Sequence, residues 1–126
     1  MVKQFTLGKQ ERLKSRKAIE QLFKDGQRFT ITPYRVFYKK AGKPGLQFGA
    51  GVSSKNFKKA VDRNRVKRLM REAYRLQKNN LQKHLKDRNT GLNLFFIYTG
   101  KELPSYDIIY EKMALALQKL TDSIEQ

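Results

Sequence analysis

Residues 63 to 76 combine an apolar and a basic pattern, and both patterns have the spacing of one α-helix. At about 100° per residue, the apolar side chains gather on one side: Val66, Leu69, Met70, Ala73 and Leu76. The other side carries Arg63, Lys67, Arg71 and Arg75 at every fourth position, with Asn64 and Arg68 beside them and Arg65 at the edge. Such a helix packs its apolar side on a core and leaves its basic side outside. The pattern therefore predicts a surface helix that displays guanidinium groups.

The basic side of this helix belongs to a longer segment with little compensating negative charge. Between Lys55 and Arg75 the chain has nine Lys or Arg residues and two acids. An ordinary solvated helix mixes both signs and gains from opposite charges one turn apart. The formal net charge is +17 overall, with 25 bases and 6 acids in residues 1–90 but 3 bases and 5 acids in residues 91–126. The excess predicts a polyanionic partner for the first two-thirds of the chain.

Length and composition limit the class of protein. A chain of 126 residues has the size of one domain, and we expect a single domain over residues 1–126. The absence of Cys excludes disulfides, thiolate metal sites and thiol catalysis. No apolar signal region follows Met1, and no apolar run approaches the roughly 20 residues of a membrane-spanning helix. We expect a soluble, cytoplasmic protein.

Local patterns predict the element order α-β-β-β-α-β-α. Ser15 suits the N-cap of a first helix, and Gly26 suits the position after its end. Strands are expected over residues 28–30, 34–40, 46–53 and 92–98, a basic helix over about 62–77, and a last helix from about residue 105. Residues 1–14 are expected to form an extended basic arm, pinned by Phe5, Leu7 and Leu13, and residues 79–91 a polar connector.

This order predicts an α/β (α+β) two-layer sandwich. Its central sheet is expected to be mostly antiparallel, with one parallel pair of strands joined by the basic helix. Alternation along the second strand places Tyr34, Val36 and Tyr38 on one side of the sheet, with Arg35 and Phe37 on the other.

Groups for protein-only catalysis are missing from the sequence pattern. His84 is the only histidine and is expected on the surface, and the eleven acids are scattered without a paired spacing. Phosphate-loop and dinucleotide glycine patterns are also absent. The residues that are present favour RNA binding: Arg and Lys for phosphates, Asn64 for 2′-hydroxyls or base edges, and aromatic rings for unpaired bases.

The segment from Gly51 to Arg75 closely resembles the signature of the bacterial ribonuclease P protein component. The core of that signature is Arg-Asn-Arg, an aliphatic residue, Lys-Arg and then Arg-Glu, which this chain has between Arg63 and Glu72. A looser likeness extends over nearly the whole chain. One departure is Ser54-Lys55, where the family commonly has two adjacent lysines.

The resemblance implies that a large catalytic RNA with bound Mg²⁺ removes the 5′ leader of precursor tRNA, and that the small protein assists without catalytic residues of its own. The implied contacts with the catalytic RNA are Arg63, Asn64, Arg65, Lys67, Arg68, Arg71 and Arg75. The implied leader cleft contains Ile19, Phe23, Phe37 and Lys55. The expected partners are the catalytic RNA and precursor tRNA, with no membrane and no protein partner. No cofactor is expected on the protein alone.

Three other interpretations remain open from the residues themselves. A structural RNA-binding protein of the ribosomal type would have the same composition. A self-sufficient nuclease would need acids that converge only in space. Membrane-surface binding by the basic helix is less favoured, because its apolar side has no large interfacial aromatic residue other than Tyr74.

Overall fold

The computed structural model of the protein describes residues 11–124. Four helices and four strands follow one another along the chain: α1 (Arg16–Asp25), β1 (Gln27–Ile31), β2 (Tyr34–Ala41), β3 (Gly45–Val52), α2 (Ala60–Gln77), α3 (Asn79–Asp87), β4 (Gly91–Tyr98) and α4 (Tyr106–Ile124). The predicted mixed α/β fold class is confirmed. The expected anchors Phe5 and Leu7 lie outside the described residues, whereas Leu13 is buried as expected.

The four strands form one sheet in the order β1-β2-β4-β3. Strand β2 runs antiparallel to both β1 and β4, and Phe37 pairs with Phe95 in the register of β2 and β4. Strands β3 and β4 are parallel, with Gly49 opposite Phe95. Because parallel strands need a long crossover, α2 and α3 lie between them, as predicted for the basic helix.

Helices cover both faces of the sheet. The larger core holds residues of alternate sheet positions, such as Val36, Leu94 and Phe96, together with the apolar sides of α2, α3 and α4. A smaller cluster of Leu13, Leu22 and Phe37 lies between α1 and the opposite face. The expected alternation along β2 is therefore observed. The helix α1 adds a partial layer on the side that the two-layer prediction left open.

The predicted polar connector over residues 79–91 is wrong, because most of it is helix α3. Leu81 and Leu85 stand one turn apart and are both buried in the larger core. Only these two apolar residues mark the helix among polar neighbours, so the periodicity was too short to recognise. His84 is partly buried on this helix, with its Nδ1 2.9 Å from the carbonyl oxygen of Asn80.

Helix α1 begins as the sequence predicts and ends differently. The Ser15 hydroxyl accepts a hydrogen bond from the Ala18 N–H at 3.2 Å, which satisfies one free donor of the first turn. Gly26 does not adopt the left-handed conformation expected after a helix, since its φ is −73°. A Cβ atom at Gly26 would lie 2.4 Å from the Leu22 carbonyl oxygen. A glycine is therefore needed where the chain after α1 passes close to the Leu22 carbonyl group.

The buried Tyr34 hydroxyl makes stability depend on alkaline pH. It donates to the Ile109 carbonyl oxygen at 2.9 Å, and burial, followed by the neighbouring Tyr98, raises the pKa of Tyr34 well above its usual value. The unfolded chain loses this proton first, so stability is intact below pH of about 10 and falls above it by about 1.4 kcal/mol per pH unit. Urea unfolding at pH values from about 9 to 11, around the usual tyrosine pKa, measures the free energy of unfolding. We expect this free energy to fall less steeply with pH in Tyr34→Phe than in the wild type. Equal slopes in the two proteins would contradict this assignment.

Candidate nucleic-acid interface

Helix α2 has one face in the core and one face in solvent, as its pattern predicted. Val66, Met70, Ala73 and Tyr74 are buried, and Leu69 is partly buried. Leu76 was expected inside, but it is 38% exposed. Tyr74 takes the inward position and stacks on Phe48, with ring centroids 3.9 Å apart and planes 7° apart. Stacking on Phe48 of β3 therefore explains why Tyr74, and not Leu76, lies at the end of the buried side of α2.

The outer side of α2 presents a continuous polar and basic surface, which we call the basic face: Asn64, Arg65, Arg68 and Arg71. All four side chains belong to exposed residues. Within residues 11–124, no acid forms an ion pair with any of these three arginines. Unpaired guanidinium groups in a fixed row can form bidentate contacts with phosphates. The basic face therefore has the chemistry of a docking surface for a polyanion.

Arg63 serves the fold instead of standing in the outer row. Its Nη1 donates to the carbonyl oxygens of Phe57 at 2.6 Å and Lys58 at 2.9 Å. The side chain thus fastens the turn between β3 and α2 to the first turn of the helix. Lys67 is partly buried as well. Four residues advance about 400° around a helix, which is about 40° more than one turn. A row of every fourth residue therefore shifts around the helix, from the partly buried Arg63 to the exposed Arg71.

We expect Arg63→Ala to lower the free energy of unfolding by about 1–2 kcal/mol, because it removes hydrogen bonds from a charged donor to two carbonyl groups. The salt dependence of RNA binding should change little, since the Arg63 Nη1 is held by these carbonyl groups at the turn. Urea unfolding and a salt titration of RNA affinity measure the two effects. A normal stability together with a clearly reduced salt slope would show that Arg63 contacts RNA instead.

Arg75 is also engaged, in this case by an acid on its own helix. Its Nε and Nη2 donate to the two oxygens of Glu72 at 3.2 and 2.5 Å. These hydrogen bonds lower the pKa of the Glu72 carboxyl below its usual value. Arg75 can still meet a phosphate at the end of the basic face, but it has to share its donors with Glu72.

A second surface lies on the opposite face of the sheet, which we call the aromatic cleft: Ile19, Phe23, Phe37, Phe95 and Ile97. Phe37 forms the floor and is only 6% exposed, whereas Phe23 on α1 is 39% exposed. The Phe23 ring lies 4.7 Å from the Phe37 centroid and 5.2 Å from the Phe95 centroid. Ile19 packs against the same small cluster. An exposed ring over the buried Phe37 and the partly buried Phe95 provides a place where an unpaired base can stack.

Phe95 is a member of the cleft that the sequence pattern did not reveal. The near-continuous apolar run of β4 gave no sign of which side chains face α1. Its ring lies flat along β3, since Cβ atoms at Gly49 and Gly51 would come within 2.6 and 2.9 Å of it. The two glycines, two residues apart on one side of a strand, were the available signal. They leave space for the ring on the sheet surface.

Lys55 lies outside this ring cluster, in the turn that follows β3. The residue is exposed, and its backbone N–H donates to the Ser53 hydroxyl at 3.2 Å. The next residue, Asn56, donates to the carbonyl oxygens of Thr99 and Gly100 at 3.1 and 3.3 Å, which fixes this turn to the end of β4. Ser54, where the family commonly has a lysine, is also exposed. Lys55 therefore supplies a cation beyond the end of β3.

Side chains that commonly bind metal ions are scattered over the described part of the chain. Across residues 11–124, no group of three His, Cys, Asp or Glu side chains could hold a metal ion. None of the helices in that range is long and apolar enough to cross a membrane. The fold and its two surfaces define a basic nucleic-acid-binding protein, with an arginine helix on one side of a sheet and an aromatic cleft on the other.

Comparison with known proteins identifies the family to which the chain belongs. The Ribonuclease P family profile matches residues 7–121. The ribonuclease P protein component of Porphyromonas gingivalis is 35% identical over 123 residues, covering 95% of this chain and 90% of the relative. That of Chlorobium phaeobacteroides is 30% identical over 128 residues, covering 91% and 88%. The chain belongs to the ribonuclease P protein family, which provides a subunit of the endoribonuclease that matures the 5′ end of tRNA.

Solved structures agree with this family and with the fold. The RNase P protein from Thermotoga maritima has a TM-score of 0.71 and 26% identity, with 86% of this chain and 96% of that chain covered. The Staphylococcus aureus RNase P protein has a TM-score of 0.66 and 19% identity, with 87% and 94% covered, and supports the fold alone. The resemblance drawn from the sequence is confirmed, and the alternative of a ribosomal-type protein is not favoured.

Proposed function

We propose that this ribonuclease P subunit binds the catalytic RNA through the basic face and the single-stranded 5′ leader of precursor tRNA through the aromatic cleft. The observation that supports the proposal most strongly is the pairing of two unlike surfaces on opposite sides of one sheet. One surface is suited to phosphates and the other to unpaired bases. A rigid sheet between them would hold the two RNAs at a fixed separation.

The basic face suits the backbone of a folded RNA. Arg65, Arg68 and Arg71 follow one another at intervals of three residues on an ordered helix, so binding has to order their side chains but not the backbone that carries them. Asn64 offers both a donor and acceptors to 2′-hydroxyls or base edges. Arg63, Lys67 and Arg75 flank the contact and strengthen the local positive potential.

The aromatic cleft suits a single strand without a fixed sequence. Stacking on a ring accepts every base, because each base has a π-face. The exposed side of Phe23 can receive one base, while Phe37 and Phe95 hold its ring in place from below. Exposed Arg35 on the same sheet face and Lys55 beyond β3 can follow the phosphates. This arrangement favours the leader-bearing precursor over the mature product.

The chemical step is assigned to the RNA partner. The described side chains do not fit a metal ion, since no cluster of ligands is present among them. In our proposal the Mg²⁺ required by the holoenzyme is bound by RNA, and the protein lowers electrostatic repulsion where the substrate approaches. No protein partner is required, and the cytoplasm is the proposed location.

A series of precursor tRNAs with increasing leader length tests this division of labour. We expect the holoenzyme to bind more tightly as the leader lengthens, until the cleft is filled, and then to reach a plateau. Mature tRNA should bind most weakly. Binding that ignores the leader at every length would support a structural RNA-binding role instead.

A further inference from the structure

The N-terminal end of the described chain covers the free edge of β3, and we call residues 11–13 the strap. Strand β3 is at the edge of the sheet in the order β1-β2-β4-β3. The strap pairs with it in parallel through Arg12 and Phe48, and the Leu13 N–H donates to the Phe48 carbonyl oxygen at 2.9 Å. The strap therefore satisfies the Phe48 carbonyl acceptor at an edge that would otherwise face solvent.

The two ends of the strap reach opposite sides of the sheet. Leu13 is buried in the small cluster with Leu22 and Phe37, which forms the floor of the aromatic cleft. Glu11 lies against the junction of α2 and α3, where its Oε1 accepts from the Lys78 Nζ at 2.5 Å and from the Gln82 Nε2 at 2.7 Å. One short segment thus connects the helical layer to the cleft.

The contact that anchors Glu11 is an ion pair with a buried lysine. Lys78 is only 1% exposed, although it is a lysine. A buried ammonium group without a paired charge is costly, so Lys78 holds Glu11 in place more firmly than a surface pair could. Nearby Tyr74 stacks on Phe48, the same residue whose carbonyl oxygen receives the Leu13 N–H. The strap is therefore held at two points: the Glu11 carboxylate by Lys78, and the Leu13 N–H by the Phe48 carbonyl oxygen.

We propose that Glu11 and Lys78 are positioning residues for leader binding, acting through Leu13 on the floor of the aromatic cleft. The inference rests on the proposed function of that cleft. Neither residue reaches the rings itself. When the anchor is lost, Leu13 is no longer pressed against Leu22 and Phe37, and Phe23 loses the fixed support on which a base would stack. The basic face of α2 is not part of this path.

The test compares Glu11→Gln with Glu111→Gln, an exposed acid on α4. The readout is the ratio of holoenzyme affinities for leader-bearing precursor and mature tRNA, with binding of the catalytic RNA measured in parallel. We expect Glu11→Gln to lower the ratio by about fivefold to tenfold, on the scale of a lost charged hydrogen bond. The Glu111→Gln ratio and catalytic-RNA affinity in both variants should stay at wild-type values.

Two further variants separate positioning from folding. Glu11→Asp keeps the charge, so Lys78 stays paired, but shortens the anchor and should give an intermediate ratio. The exchanged pair Glu11→Lys with Lys78→Glu should recover a large part of the loss seen in Lys78→Glu alone. An unchanged ratio in folded Glu11→Gln and Glu11→Asp, beside a leader-dependent wild type, would overturn the inference only. A wild-type holoenzyme that ignores the leader would overturn the proposed function as well.

Discussion

Replacing both Arg65 and Arg68 by alanine should weaken binding to the catalytic RNA by roughly 10- to 100-fold per side chain, the value of a charge-assisted hydrogen bond to phosphate. Both residues are exposed on α2, and within residues 11–124 neither is paired with an acid. Each lost phosphate contact should also reduce the slope of log affinity against log salt by roughly 0.7 to 0.9. Filter binding over a range of salt concentrations measures both quantities.

The control for this prediction removes the same charge elsewhere. Lys101 and Lys112 lie in the last third of the chain, far along the sequence from the basic segment, so Lys101→Ala with Lys112→Ala matches the change in net charge. This control should lose little affinity and keep its salt slope. Equal losses in the two double variants would mean that the RNA responds to total charge and that α2 is not a specific docking surface.

Replacing Phe23 by alanine should lower the affinity for leader-bearing precursor by about 1–3 kcal/mol, the usual value of one base–aromatic stack. This corresponds to roughly 5- to 150-fold. The Phe23 ring is partly exposed, and it rests against Phe37 and Phe95 without forming the floor itself. Affinity for mature tRNA should therefore remain close to wild type. Equilibrium binding of the two tRNAs to the holoenzyme measures the difference.

Ile108→Ala is the matched control for the aromatic cleft. Ile108 is 43% exposed on α4, which packs on the other side of the sheet. Its removal should affect neither tRNA. If Phe23→Ala reduced both affinities equally, the ring would act on tRNA binding in general or on the fold, and the leader would have to lie elsewhere.

Much of the fold could be predicted because the local patterns agree with the packing. The Ser15 cap, the alternation along β2 and the two-sided pattern of α2 all describe elements that the structure contains. Helix α3 could not be predicted in the same way, since Leu81 and Leu85 are its only buried apolar residues. Short helices of this kind depend on the core they meet more than on their own sequence.

The candidate site was only partly visible in the sequence, for the same physical reason. Helical spacing identified Arg65, Arg68 and Arg71, because their exposure follows from their own helix. The roles of Arg63 and Phe95 depend on partners that are distant or irregular in the sequence: two carbonyl groups in a turn, and two glycines on a neighbouring strand. The strap shows this more strongly, as Glu11 and Lys78 are brought together only by the fold.

Reconstitution of precursor-tRNA cleavage tests the central claim most directly. The purified protein is combined with a bacterial ribonuclease P RNA at a Mg²⁺ concentration too low for efficient cleavage by that RNA alone. We predict a large gain in the rate of 5′ leader removal with the wild-type protein, and loss of that gain with Arg65→Ala and Arg68→Ala together. The protein without RNA should cleave nothing. A folded wild-type protein that gives no gain, or that cleaves precursor tRNA by itself, would contradict the account.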